Sequence, residues 1–281
     1  MYQIRVAQAV YCTGSLLNHA CAPTCAASFA AGGALVVRCT SSVAAGAALT
    51  LSYGPQAGEA GAAQRRRLLR ASHAFRCACA ACEAAATSAA EAELTGMRCL
   101  ATRGCDGATP FPPKQSADTS SPPVCPACGV APAAAEHAGA ARGAQLASAA
   151  LAKLRGGAGI GAHHAPQLAA LVAAVRSGAH ARSRAVAEAE DALAEALSAA
   201  GDVAGAAAAA GRALAALRRH YPPGSLPLAH EAAKVAQLIG HHGGDALAAA
   251  ELAREACAAF RAHYGDGYPR LEELQPLLTG A

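Results

Sequence analysis

The chain has 281 residues, 53% of them apolar, with four phenylalanines, no tryptophan and a formal charge of +4. Alanine supplies much of the apolar content, and it is the best helix former but a poor core filler, so many closely packed helices with thin cores are expected. The small net charge and few aromatics argue against nucleic acid as the main partner, and the local basic cluster Arg65, Arg66, Arg67 and Arg70 reads as a solvated helix face.

The opening residues MYQIRVAQAV lack the charged-then-apolar layout of a signal peptide. No segment carries the roughly 18 uninterrupted apolar residues of a membrane span, since the alanine run at 203–217 is broken by Gly205, Gly211 and Arg212. A protein of the nucleus or cytoplasm with no membrane partner is therefore expected. In such a reducing compartment, twelve cysteines arranged partly as close pairs read as metal ligands rather than disulfides.

Along the chain, residues 1–56 read as strands and turns. Ala34 to Cys39 and Ala48 to Tyr53 are short β-favouring runs, with a turn signal at Ala45-Gly46 between them. Residues 57–74 change to helical spacing around Leu68, Leu69 and the arginines. Residues 96–129 are rich in Gly, Pro and Ser, and such a stretch needs an external staple because it builds no apolar core.

Two cysteine constellations supply candidate staples. Cys77, Cys79 and Cys82 put three thiols within six residues, and a tetrahedral zinc takes a fourth ligand from elsewhere, with Cys21 and Cys25 the nearest candidates. Cys99, Cys105, Cys125 and Cys128 form two pairs across a Gly/Pro-rich loop, the layout of a zinc ribbon. With four thiolates at the metal, no position stays open for a substrate water, so this site reads as structural. Cys12, Cys39 and Cys257 read as small buried apolar residues.

From about residue 138 the pattern is helix after helix, with an internal repeat. Gly201-Asp202 recurs as Gly244-Asp245, and His220-Tyr221 recurs as His263-Tyr264, each displaced by 43 residues. One helix before and one after each Gly-Asp turn indicate a solenoid of tetratricopeptide-like hairpins.

The segment Asn18-His19-Ala20-Cys21-Ala22-Pro23-Thr24 resembles the Asn-His-Ser-Cys-x-Pro-Asn motif of SET-domain methyltransferases. Three features follow in that family's order: a strand ending at Tyr53, an arginine-bearing helix, and Phe75-Arg76-Cys77-Ala78-Cys79-Ala80-Ala81-Cys82, which resembles the post-SET cysteine knuckle. With the trailing helical repeats, the chain resembles the SET- and MYND-domain (SMYD-like) family of protein lysine methyltransferases. It departs from the motif at Ala20 and Thr24, and in having no glutamates before Tyr53.

The resemblance implies S-adenosylmethionine as cofactor and two structural zincs. It implies cofactor contacts from Ser15, Leu16, Asn18, His19 and Phe75, with Phe75 stacked on the adenine, and a catalytic role for Tyr53, which orients methyl and amine. Cys21 then completes the zinc set of Cys77, Cys79 and Cys82, while His73 is given no role. The family's Gly-x-Gly segment and MYND finger are not in this sequence, so the expectation is the C-terminal portion of such an enzyme, a fragment inactive as it stands. The alternative is a non-catalytic, zinc-stapled scaffold binding a protein partner. The expected fold is α+β, with the C-terminal half of a SET domain over 1–56, a helix and zinc knuckle over 57–85, a four-cysteine zinc ribbon over 86–135 and an all-α repeat domain over 136–281. A monomer acting on a lysine-bearing protein or peptide, histone or not, is expected.

Overall fold

The computed structural model describes residues 9–111, 122–157 and 159–279. Residues 1–8, which hold most of the segment weighed above as a leader, and 112–121, inside the predicted zinc ribbon, lie outside the described residues.

Among the described residues, the front of the chain holds three small two-stranded sheets. Strand β1 (Asn18–His19) is followed by the hairpin β2 (Cys25–Phe29) and β3 (Leu35–Cys39). The hairpin is antiparallel, running from Cys25 opposite Cys39 to Phe29 opposite Leu35. Its turn contains Gly32 and Gly33, both at φ 79, a conformation that glycine adopts without a Cβ clash. Strand β4 (Thr50–Leu51) returns beside β1 in parallel, with Asn18 opposite Thr50 and His19 opposite Leu51.

The expected run 48–53 is thus strand over only two residues. Pairing ends where the short β1 ends, and backbone without a partner strand does not stay extended by propensity alone. The turn at Ala45-Gly46 forms as expected, with Gly46 at φ 82.

Helix α1 (Ala62–His73) ends at Ala74 in the left-handed region, φ 59. It buries Ala62, Arg65 and Leu69, one stripe at the i, i+3, i+7 spacing of a helix face. Short helices α2 (Ala80–Glu83) and α3 (Ala89–Thr95) follow, then the hairpin β5 (Met97–Arg98) and β6 (Ala108–Thr109).

The remainder is helical: α4 (Ala134–Gly156), α5 (Ala165–Gly178), α6 (Arg184–Ala199), α7 (Val203–Leu217), α8 (Leu226–His241), α9 (Ala246–Tyr264) and α10 (Arg270–Thr279). The repeat is visible as two hairpins, α6–α7 and α8–α9. Asp202 caps α7 by accepting from Gly205 N–H at 2.9 Å, and Asp245 caps α9 by accepting from Leu247 and Ala248 N–H at 2.9 and 3.1 Å. The repeated histidines also do the same work. His220 Nε2 bonds to the Arg182 carbonyl, one residue before the Ser183 cap of α6, and His263 Nε2 donates to the Gly224 carbonyl at 3.1 Å, one residue before the Ser225 cap of α8.

Alanine lets these helices approach closely: Ala192, Ala196, Ala206, Ala209, Ala210 and Ala213 are all fully buried in the α6–α7 contact region. Larger side chains, among them Leu168, Val175, Phe260 and Leu274, fill what remains. Among the described residues no helix is long and apolar enough to cross a membrane.

The front packs on the helices through specific contacts. His180, buried at the α5–α6 junction, donates its backbone N–H to Gly96 at 3.0 Å, and its Nε2 lies 3.2 Å from the Asp106 carbonyl. Glu93 on α3 takes Arg182 and Arg219 at 3.1 and 2.8 Å. Gly58, at φ 87, lies so close to the His220 carbonyl that a Cβ would sit 2.7 Å from it.

Candidate metal centres and an adjoining aromatic site

Cys77, Cys79 and Cys82 lie on a tight turn in which the N–H groups of Cys82 and Glu83 donate to the Cys79 carbonyl at 2.8 and 3.0 Å. Cys21 reaches them from the loop after β1. Its sulfur is 3.9 Å from Cys77 Sγ and 3.5 Å from Cys82 Sγ, and with Cys79 the four sulfurs lie within 4.8 Å of one another. Zn–S bonds near 2.3 Å in a tetrahedron place the sulfurs about 3.8 Å apart. The cluster could therefore hold a zinc ion. Of the two candidates for the fourth position, geometry brings in Cys21; Cys25 Sγ lies instead 3.7 Å from Cys39 Sγ.

Burial pushes the Cys21 and Cys77 thiols up. Burial also opposes ionisation of Cys79, yet backbone N–H groups of Cys21 and Cys82 directed at its sulfur bring it down to about 7. Each metal-bound thiol must give up its proton.

The solvated-face reading of the basic cluster holds for Arg67 and Arg70 but is overturned for Arg65, which is fully buried. Its guanidinium reaches Glu91 at 3.3 Å, the Ala81 carbonyl at 3.4 Å and Cys82 Sγ at 3.8 Å, and also bonds to the Ala60 carbonyl. Four thiolates carry more charge than one zinc dication cancels, so a buried cation beside them is compensated rather than stranded. Arg66, half-buried, donates to the Cys77 and Cys82 carbonyls at 3.0 and 3.1 Å and so braces the knuckle. The signal for Arg65 was its place in the stripe Ala62, Arg65, Leu69.

The second set forms a matching cluster. Cys99 and Cys128 are 3.8 Å apart, as are Cys105 and Cys125, and all four sulfurs lie within 4.8 Å. Backbone hydrogen bonds beyond the β5–β6 ladder and across a turn bring it about, with Cys99 N–H donating to the Gly107 carbonyl at 2.9 Å and Cys125 N–H to the Val130 carbonyl at 3.0 Å. Gly107 passes so close to Cys125 Sγ that a Cβ would collide with it. The Thr102 hydroxyl and the Val130 N–H lower Cys128 to about 6, whereas for Cys105 the Gly107 N–H is outweighed by burial and thiol neighbours, which push it up to about 12. The remaining cysteines correct the sequence reading in part: Cys257 is buried, but Cys12 and Cys39 are exposed.

Beside the first cluster the structure gathers four rings. His19 and Tyr53 centroids are 5.3 Å apart, Tyr53 and Phe75 6.4 Å, His19 and Phe75 5.9 Å, and His73 lies 5.1 Å from Tyr53. His19 is the hub. Its Nδ1 accepts from the Tyr53 N–H at 3.0 Å, so Nε2 carries the proton and faces Cys21 Sγ at 3.3 Å. Burial, with His73 and Arg65 adding to it, lowers the His19 pKa and favours this neutral tautomer. The Tyr53 hydroxyl donates to the Leu17 carbonyl at 2.7 Å. Ser15, Leu16 and Asn18 are exposed along this same segment, and the Ser15 hydroxyl is committed to the Cys12 carbonyl at 2.9 Å.

A cleft of about 680 Å³ starts at Tyr53 and runs past Glu59, Leu68 and Ser72 to Arg184 and Glu188 of the helical region. An adjoining cavity of about 320 Å³ continues it toward Asp191, Tyr221, His230 and Glu231.

No family model matches the chain. The mouse protein-lysine N-methyltransferase SMYD4 is 34% identical over 100 residues, which cover 36% of this chain and 12% of that protein. The human protein of the same name is 35% identical over 81 residues, 29% of this chain and 10% of its own length. The chain thus matches only a small part of these curated relatives. These partial matches support a relationship to SMYD-like protein-lysine methyltransferases.

Proposed function

We propose that this chain contributes the cofactor-closing portion of a SET-type, S-adenosylmethionine-dependent protein-lysine N-methyltransferase. The observation that carries the reading is the double anchoring of Tyr53, by its N–H to His19 and by its hydroxyl to Leu17, inside a ring cluster that includes Phe75.

The residues present suit such a cofactor. Leu16, 78% exposed, and the half-exposed Phe75 ring offer apolar surface for a flat ligand, and the exposed Asn18 amide offers polar groups beside it. Ser15 contributes through its backbone, because its hydroxyl is already engaged. S-adenosylmethionine, when bound, supplies a sulfonium methyl group.

The chain's own part is positioning. Because Tyr53 Oη gives its proton to Leu17, its lone pairs remain to accept an N–H from a substrate amine and aim it. His19, held neutral between Tyr53 and Cys21, fixes where that oxygen sits. The zinc held by Cys21, Cys77, Cys79 and Cys82 ties the Asn18-His19 loop to the segment bearing Phe75, so metal binding and site assembly are one event. A second zinc, held by Cys99, Cys105, Cys125 and Cys128, seats the ribbon. The helical hairpins, TPR-like in their repeat, wall one side of the cleft from Tyr53, and its carboxylates Glu59 and Glu188 suit a lysine-bearing protein or peptide. The protein acts as a monomer in the nucleus or cytoplasm.

Calorimetric titration of the zinc-loaded chain with S-adenosylmethionine tests the reading. Saturable binding that is lost in Phe75→Ala but retained in Tyr53→Phe is expected, since Tyr53 is assigned to the substrate amine and Phe75 to the cofactor. A chain that holds two zincs and gives no heat overturns it and leaves the scaffold reading.

A further inference from the structure

Two cysteines outside both metal clusters face each other across the β2–β3 hairpin. Cys25 opens β2, Cys39 closes β3, and they are direct register partners. Hydrogen bonds on either end of the ladder fix which kind of pair they form. Thr40 N–H donates to the Thr24 carbonyl and Ala30 N–H to the Ala34 carbonyl, so the pairs 24/40, 26/38, 28/36 and 30/34 are the hydrogen-bonded ones. Cys25 and Cys39 therefore occupy a non-hydrogen-bonded pair, where the two Cα atoms come closest and side chains stand nearest each other. That spacing lies within the range a disulfide spans.

The thiols already point at one another, with the sulfurs 3.7 Å apart. Among the described residues neither belongs to a group of three or more metal-ligating side chains, and two sulfurs do not complete a zinc site. Access is asymmetric: Cys39 is exposed and Cys25 is 2% exposed. A cavity of about 480 Å³, lined in part by Leu17, Leu35, Val37 and Leu49, opens onto both.

We propose that Cys25 and Cys39 are a reversible disulfide site whose oxidant is a low-molecular-weight disulfide such as oxidised glutathione. The exposed Cys39 thiolate attacks one sulfur of the oxidant, forming a mixed disulfide and releasing one glutathione thiolate. Cys25, having lost its proton to solvent, then attacks the Cys39 sulfur and releases the second glutathione. Two protein thiols are oxidised and one glutathione disulfide is reduced to two thiols, so the exchange balances. The bond closes the open end of the hairpin next to Thr24, which exchanges hydrogen bonds with Thr50 of β4 at 3.1 and 3.0 Å. It thereby clamps the segment leading out of Cys21.

The test uses the full zinc-loaded chain incubated with oxidised glutathione and analysed by intact mass, peptide mapping and zinc release. The native chain is expected to link Cys25 to Cys39 with loss of two hydrogens, to carry no glutathione on either of these two cysteines and to keep both zincs, with any adduct on the exposed Cys12 mapped separately. Cys25→Ser is expected to trap one glutathione on Cys39, and the exposed-site variant Cys39→Ser to form neither adduct nor link at Cys25. Glutathione persisting on Cys39 of the native chain overturns the proposal. So does an unreacted pair, or a link that forms only as zinc is lost.

Discussion

The front region, residues 9–130, and the helical region, 134–279, solve the same problem differently. In the helical region, alanine-lined hairpins bury a continuous core in which Phe260, Leu168 and Leu274 are fully enclosed. Burial of apolar area supplies its stability. Among its described residues the front has three two-stranded sheets and a small core that is largely cysteine, Cys21, Cys77 and Cys82 with Ala62 and Leu69. Two-stranded sheets are marginal by themselves. There the thiol clusters take the place of a core, and the candidate site sits on the part of the molecule whose clusters could hold zinc. A repeat can hold its shape with local contacts, whereas a site gathered from Leu17, His19, Tyr53 and Phe75 needs a tie between distant segments.

Metal removal is the strongest way to break the comparison. Apparent binding of a structural zinc is worth about 10–16 kcal/mol in small domains. A chelator is therefore expected to expose the front to proteolysis and hydrogen exchange while α6 to α9 stay protected; simultaneous loss of both regions would show that they are one cooperative unit.

The joint between the regions comes next. Glu93 is nearly buried and takes both Arg182 and Arg219. Glu93→Gln removes the shared partner and is expected to cost about 2 kcal/mol, less than a fully buried pair because the arginines are partly exposed. In a denaturant melt it should split one transition into two. Burial raises the Glu93 pKa, but Arg219 and Arg182 outweigh it and hold the carboxyl below the ordinary 4.5. Its contribution is therefore complete above pH 4.5 and is lost as pH falls through the lower folded-state value. In the Gln variant the acid limb of the stability curve should flatten in that window, and an unchanged limb would count against the assignment.

Arg65 sharpens the comparison at the first thiol cluster. Arg65→Met keeps the volume and removes the charge beside Cys82, and loss of such an outer partner weakens metal affinity about 10–100-fold. Competition with a coloured chelator should show that loss at one zinc and leave the ribbon zinc untouched. The smallest effect belongs to the repeat: Asp245→Ala removes the cap of α9 and should cost about 1 kcal/mol. Asp202→Ala should cost a similar amount in α7, since the two positions are structural equivalents, and thermal melts of both variants check this.

By itself the sequence determined what is encoded locally. The strand expected over 34–39, the helix expected within 57–74, the helical hairpins and the Asp202 and Asp245 turns follow from period, propensity and cap residues acting over a few positions. The grouping of Cys77, Cys79 and Cys82 and of Cys99, Cys105, Cys125 and Cys128 was legible too, because ligand spacing within a knuckle is a short-range property. Tertiary structure decided the rest. Helical spacing puts Arg65 on the stripe of Ala62 and Leu69 and Arg67 off it, but only the packing of α1 against the Cys82 knuckle gives the buried guanidinium its partners. The residues alone left Cys21 and Cys25 open and the resemblance pointed to Cys21; the fold then places one thiol at the knuckle and the other across the hairpin from Cys39. His19 shows the same division. Its motif marked it as a site residue, but its two ring bonds, to Tyr53 and Cys21, exist only once segments 34 residues apart are brought together.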